Sequence, residues 1–139
     1  MRCHRIIALL LVLAAPLAAQ VVVVNPSVTD REIDARHLTA MFQGGITTWD
    51  DGQPVVLVLA DDSAADELLT RMTGRGRLVL LRSWKRLVFA GMGAMPLSAS
   101  SSDEALGVVA RTTGAMVLLD HAPEDPRWRV IPITLTAIR

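Results

Sequence analysis

From Val21 onward, short unbroken apolar runs alternate with longer stretches in which apolar residues recur every three or four positions. That alternation predicts strands separated by helices. "VVVVN" (21–25) is a β-branched run without polar alternation, so it reads as a central strand buried on both faces, ended by Pro26. Ile33, Asp34 and Leu38 fit a hydrophobic staple around an N-cap, and Leu38, Met41 and Phe42 continue at helical spacing to a stop at Gly44. A short helix over about 35–43 follows. Asp51-Gly52 signals a tight turn before a second buried strand, "PVVLVLA" (54–60).

Ser63 precedes Asp66 by three, the spacing of a capping box, and predicts a helix over 64–72. In "LVLLRSWKRLVF" (78–89), Leu80, Leu81, Trp84, Leu87 and Val88 fall on one arc, with Arg82, Ser83, Lys85 and Arg86 opposite. This is an amphipathic helix with its tryptophan facing the core. A loop over 90–96, a helix over 103–112, a strand at 115–120 and a last strand at 128–133 complete the pattern, Pro132 limiting that strand to an edge or an end. The expectation is one three-layer α/β domain with a mostly parallel sheet.

The first residues stand apart from this pattern. "MRCHRIIALLLVLAAPLAAQ" has a cationic start, an apolar run and small residues before Gln20, the marks of a secretory signal cut after Ala19. The run is short of the roughly 20 apolar residues that a spanning helix needs. We expect residues 1–19 to be a signal peptide, 20–139 to be the domain, and the location to be periplasmic or secreted. Cleavage removes Cys3, so no disulfide, thiol nucleophile or thiolate metal site is expected. It also removes Arg2 and Arg5, leaving a slightly acidic chain with no global attraction to nucleic acid.

Several segments together resemble a known family: "VVVVNPS", "LTAMFQGGITTWDDGQPVVLV", "W-x4-F-A-G-x-G-x-x-P" (84–96) and "TTGAMVLLD", in that order. They are similar to the phosphate-transporter substrate-binding proteins and their short relatives. The most specific element is F-x-G-x-x-T-x-W-x-D-G from Phe42 to Gly52. The resemblance implies one lobe of a type II periplasmic binding protein, where full members close two lobes around a ligand. The family's anion loop, R-x-D-G-S-G-T, falls on Leu59 to Ala65. Asp61 and Ser63 are kept there, while Leu59, Asp62, Ala64 and Ala65 replace the arginine, both glycines and a hydroxyl.

The start of the helix after that loop still offers free amides and a partial positive charge. Asp62, Asp66 and Glu67 oppose an anion there, so phosphate binding is not expected to survive. Four residues are candidate ligand groups: Asn25, Ser27, Asp61 and Ser63, with backbone amides at 63–65. Asn25 and Ser27 read equally as turn formers, and Ser63 reads first as a helix cap, because the Asp66 spacing already accounts for it. The four acids at 61–67 read as a cation or amine site or as a solvated first turn. Trp49, Trp84 and Trp128 read as stacking platforms or as core.

The basic series Arg71, Arg75, Arg77, Arg82, Lys85 and Arg86 has no acid between Glu67 and Asp103. Its Arg82, Lys85 and Arg86 face can dock an anionic ligand, a lipid headgroup or an acidic protein, or simply face solvent. Only His37 and His121 remain after cleavage, and no G-x-S-x-G elbow, P-loop or metal-spaced histidine pair occurs. We therefore expect no catalysis, no cofactor and no metal. The functional expectation is an exported binding module with an eroded anion loop. The rival is an interaction module, self-associating or not, that kept the scaffold and lost the ligand site.

Overall fold

The computed structural model describes residues 20–134; the signal-like segment 1–19 lies outside them. Six strands form one sheet: β1 (Val21–Val24), β2 (Ile33–Asp34), β3 (Val56–Ala60), β4 (Leu97–Ala99), β5 (Ala115–Leu119) and β6 (Arg129–Thr134). Their spatial order is β2-β6-β1-β5-β3-β4. Four helices join them: α1 (Ala35–Phe42), α2 (Ser63–Thr73), α3 (Arg77–Phe89) and α4 (Ser102–Arg111).

Every residue of β1 and β5 is buried, because the sheet is covered on both faces. Val22, Val24, Leu57, Leu59, Met116 and Leu118 point into a core shared with the first three helices. Their alternates, among them Val21, Val23, Val58, Ala60 and Val117, point into a second core against α4. The period of two is present in the side-chain directions, yet polar alternation is absent since neither face meets water. The three-layer α/β reading holds.

β3 pairs in parallel with β4 and β5, and β2 in parallel with β6. β1, at the centre as expected, runs antiparallel to both neighbours, with Val24 opposite Met116 and Arg129. β6 is second from the edge, since the two-residue β2 pairs beyond it at Ile33–Ile133 and Asp34–Thr134. That pairing begins just past Pro132, so the ring without an N–H is tolerated on a nearly open flank. β2 and β4 are too short to leave a pattern in the sequence.

Local signals explain the helix ends. Asp34 caps α1 through the Arg36 amide at 2.9 Å, with Ile33 and Leu38 buried around it. α3 turns Leu80 and Trp84 inward, and the Trp84 Nε1–H donates to the Phe42 carbonyl at 2.8 Å. Val88, expected on the inner arc, lies at its margin and is exposed.

The turn before β5 ties distant segments together. Gly114 has φ +74°, and a Cβ there would stand 2.3 Å from the Pro54 carbonyl oxygen. Its amide donates to Ser27 Oγ at 3.0 Å, and its carbonyl accepts the Trp49 indole N–H at 2.9 Å and the Val56 amide at 3.0 Å. A Gly114→Ala substitution adds a left-handed strain to a backbone clash, and should cost on the order of 2 kcal/mol. Urea denaturation is the measurement: a lower midpoint with an unchanged slope is expected, and a wild-type midpoint would show that the turn relaxes freely.

Candidate functional site

β3 connects through α2 and α3 to β4 on one side, and β4 connects through α4 to β5 on the other side of β3. The chain thus reverses its direction of travel across the sheet at the carboxyl ends of β3 and β4. Crevices at such reversals are where open α/β sheets hold ligands, because two helix starts face each other there. Here those starts belong to α2 and α4.

Asp61 follows β3 directly, its amide bonded to the Ala99 carbonyl at 2.7 Å and its side chain exposed. The N-cap of α2 is Asp62, one residue earlier than the expected Ser63: its Oδ1 accepts the Ala65 amide at 2.7 Å. Its Oδ2 accepts the Ser102 hydroxyl at 2.5 Å, so one carboxylate joins both helix starts. The Ser102 hydroxyl first, and the Ala65 amide second, hold the Asp62 carboxyl below its ordinary value of 3.8. Ser63 is the first residue of the helix, exposed, with its hydroxyl unbonded among the described residues. Aspartate wins the cap because its extended backbone puts an ionised acceptor over the amides, where the helix dipole adds attraction.

The second helix start is filled in the same way. Ser101 caps α4 through the Glu104 amide, while Glu104 Oε2 accepts the Ser100 amide at 2.6 Å and also its hydroxyl. Those two Ser100 donors, hydroxyl first, keep the Glu104 carboxyl below its usual range. The serines at 98–102 fall between the loop and the helix that the sequence predicts, although Ser101-x-x-Glu104 carries a capping-box spacing.

A cation reaches this place from the basic series, at the residue just before the helix that the spacing predicts over 78–89. Arg77 opens α3, and its guanidinium donates to the Ala60 carbonyl and, through Nε, to Asp66 Oδ1 at 2.8 Å. It therefore lies beside the turn that follows Leu59. Its charge is already matched by Asp66.

Two open clefts flank Asp62. One, of about 480 Å³, is lined by Asp61, Arg77, Ser98, Ser100 and Glu104; the other, of about 250 Å³, by Asp62, Ser63, Ser102, Asp120 and His121. His121 pairs with Asp120 at 2.6 Å, both partly or fully exposed. The clefts together present four serine hydroxyls and four carboxylates to one neutralised arginine and one histidine.

Asn25 and Ser27 do not join this group. β1 is antiparallel, so its carboxyl end meets the amino ends of β5 and β3, across the whole strand length of about 16 Å from Asp61. There Asn25 is buried, its Nδ2 donating to the carbonyls of Val109 at 2.8 Å and Ala110 at 3.2 Å, its Oδ1 accepting the Ser27 amide. These bonds close the end of α4 and the turn at Pro26. The four candidates form two pairs at opposite ends of the sheet.

The tryptophans divide similarly. Trp49 and Trp84 are core, and Trp128 is half-buried with Arg127 stacked on it at 5.3 Å. A third cleft, near β2, collects Asp30, Glu32, Asp34, His37 and Asp50. Burial, then the nearby Asp50 charge, raises the Asp30 carboxyl above its ordinary value. Among the described residues, no group of three or more histidine, cysteine or acidic side chains is arranged to hold a metal ion.

No family model and no curated protein matches the chain. Solved structures do. A protein assigned as a phosphate ABC transporter substrate-binding protein of Clostridium perfringens, with bound phosphate, superposes with a TM-score of 0.62 at 12% identity, over 84% of this chain and 44% of that one. An ABC-type phosphate transport receptor of Vibrio cholerae gives 0.52 at 16% identity, over 81% and 45%. A high-affinity periplasmic phosphate-binding protein bound with phosphate gives 0.56 at 19% identity, over 74% and 32%. The chain spans less than half the length of each of these three structures. At these identities the likeness is one of architecture: this chain has the fold found in part of the phosphate-type substrate-binding proteins.

Proposed function

We propose that the protein is an exported, non-catalytic binding module whose ligand seat is the turn at Asp61 and Ser63, and that this seat does not retain phosphate. The observation that carries the reading is the Asp62 carboxylate. It takes the Ala65 amide and the Ser102 hydroxyl, two donors at the helix starts that an incoming anion would need. An anion placed a few ångströms from that carboxylate meets a repulsion on the order of 1 kcal/mol in water-like surroundings and several in a protein-like one. Arg77 offers little relief while Asp66 holds it.

What remains at the seat is acceptor-rich: Asp61, Glu104 and the hydroxyls of Ser63 and Ser100. This supports a solute that brings N–H or O–H donors, such as an amine or a polyol. The architecture shared with binding proteins supports the absence of catalysis. The signal-like first 19 residues support export.

A thermal-shift panel tests the reading, since a ligand that binds only the folded state raises the midpoint by mass action. Millimolar phosphate or sulfate should leave the midpoint flat, and an amine or polyol should raise it. A clear rise with phosphate that Ser63→Ala abolishes would overturn the proposal. Replacing Asp62 by glycine frees the Ala65 amide and removes the repelling charge, so Asp62→Gly should gain the phosphate-dependent rise that the wild type lacks.

Acidity gives a separate check on the carboxylate. Asp62 titrates lower folded than unfolded, so its contribution is present above 3.8 and is lost as pH falls through the folded value. Asp62→Ala should cost about 1 kcal/mol at neutral pH. Denaturant titrations at a series of pH values should show that deficit shrinking below pH 3.8. A deficit independent of pH would mean that the side chain acts there without its charge.

A further inference from the structure

The outward face of α3 is the part of the surface that the binding seat does not use. Along it run Leu78, Val79, Arg82, Lys85, Arg86 and Phe89, on one arc opposite the buried Leu80 and Trp84. Leu78 is 71% exposed and Phe89 91%, with Met92 at 58% in the loop just beyond. A phenylalanine so open to water is costly unless something covers it. Arg82, Lys85 and Arg86 form no ion pair among the described residues, and the sequence holds no acid from Leu68 to Ser102.

We propose that this face docks the protein on an anionic lipid bilayer. The three cations lie between two apolar ends, with Leu78 and Phe89 about 16 Å apart along the helix axis. A bilayer surface matches that order: a continuous plane of phosphate acceptors above an apolar layer into which the ends can dip. A second copy of the same face would set cations against cations. A folded acidic partner would match the charges, yet it would not offer a continuous apolar layer to both ends of the helix. The helix does not cross the membrane: among the described residues none is long and apolar enough.

The test is co-sedimentation of the full chain, purified from the compartment where the cell accumulates it, with phosphatidylcholine vesicles with and without one-third phosphatidylglycerol. Binding to the anionic vesicles alone, weakened by salt, is expected. The triple variant Arg82→Glu, Lys85→Glu, Arg86→Glu should bind roughly a hundredfold more weakly, at about fivefold for each cation lost. Phe89→Ser with Met92→Ser should lose about tenfold or more through the apolar contacts alone. These side chains are exposed, and an unchanged melting midpoint verifies that each variant is folded.

Three results would overturn the proposal. One is no binding to anionic vesicles by the wild type. Another is wild-type binding by the Phe89, Met92 variant, which would reduce the effect to charge adsorption. The third is a lipid-independent oligomer in light scattering that this variant dissolves, which would assign the face to a protein interface.

Discussion

A sheet whose strands are apolar on both sides has to be covered on both sides. In this chain the cover is divided unequally, with three helices over one face and α4 alone over the other. Covering two faces from one chain forces the connection to cross from one side of β3 to the other. That crossing brings the starts of α2 and α4 together at the carboxyl ends of β3 and β4. The candidate seat is thus a consequence of how the core is closed.

Two helix starts facing one another concentrate unpaired amides and positive partial charge. In this protein the chain answers that field with its own carboxylates, Asp62 at α2 and Glu104 beside α4. Both titrate below their usual range for the same reason, donors converging on a charge. The Asp62–Ser102 bond also fastens the helices to each other, so the group that opposes an anion is part of the local architecture.

At the other end of the sheet polar groups have a different fate. Asn25, Ser27, Trp49 and Gly114 bond one another or backbone carbonyls, and fix α4 and the hairpin before β3 against the start of β5. Both donors of the buried Asn25 amide are used there. The polar residues at the two ends are of similar type, and what separates them is whether the fold supplies partners. Ser63, with an exposed hydroxyl and no partner among the described residues, belongs to the open end.

Much of this was legible in the amino-acid sequence. Apolar runs rich in β-branched residues and too short for a helix read as strands buried on both faces, so the three-layer class and the central place of β1 were legible in residues 21–25 and 54–60. Helical spacing marked Trp84 as core, and Asp34 and Gly44 bounded α1, because caps and periodicity are local properties. Strand direction is not local: "VVVV" reads the same along either sense, and only pairing with Met116 and Arg129 made β1 antiparallel and carried Asn25 away from Asp61. Nor could spacing choose between Asp62 and Ser63 as the cap, since the decision involved Ser102, 40 residues away. Arg77 reached the Ala60 carbonyl through the packing of α3, a proximity that no motif encodes. The residues alone determined which segments are buried and which ends carry charge, while the tertiary structure decided which of those charges meet.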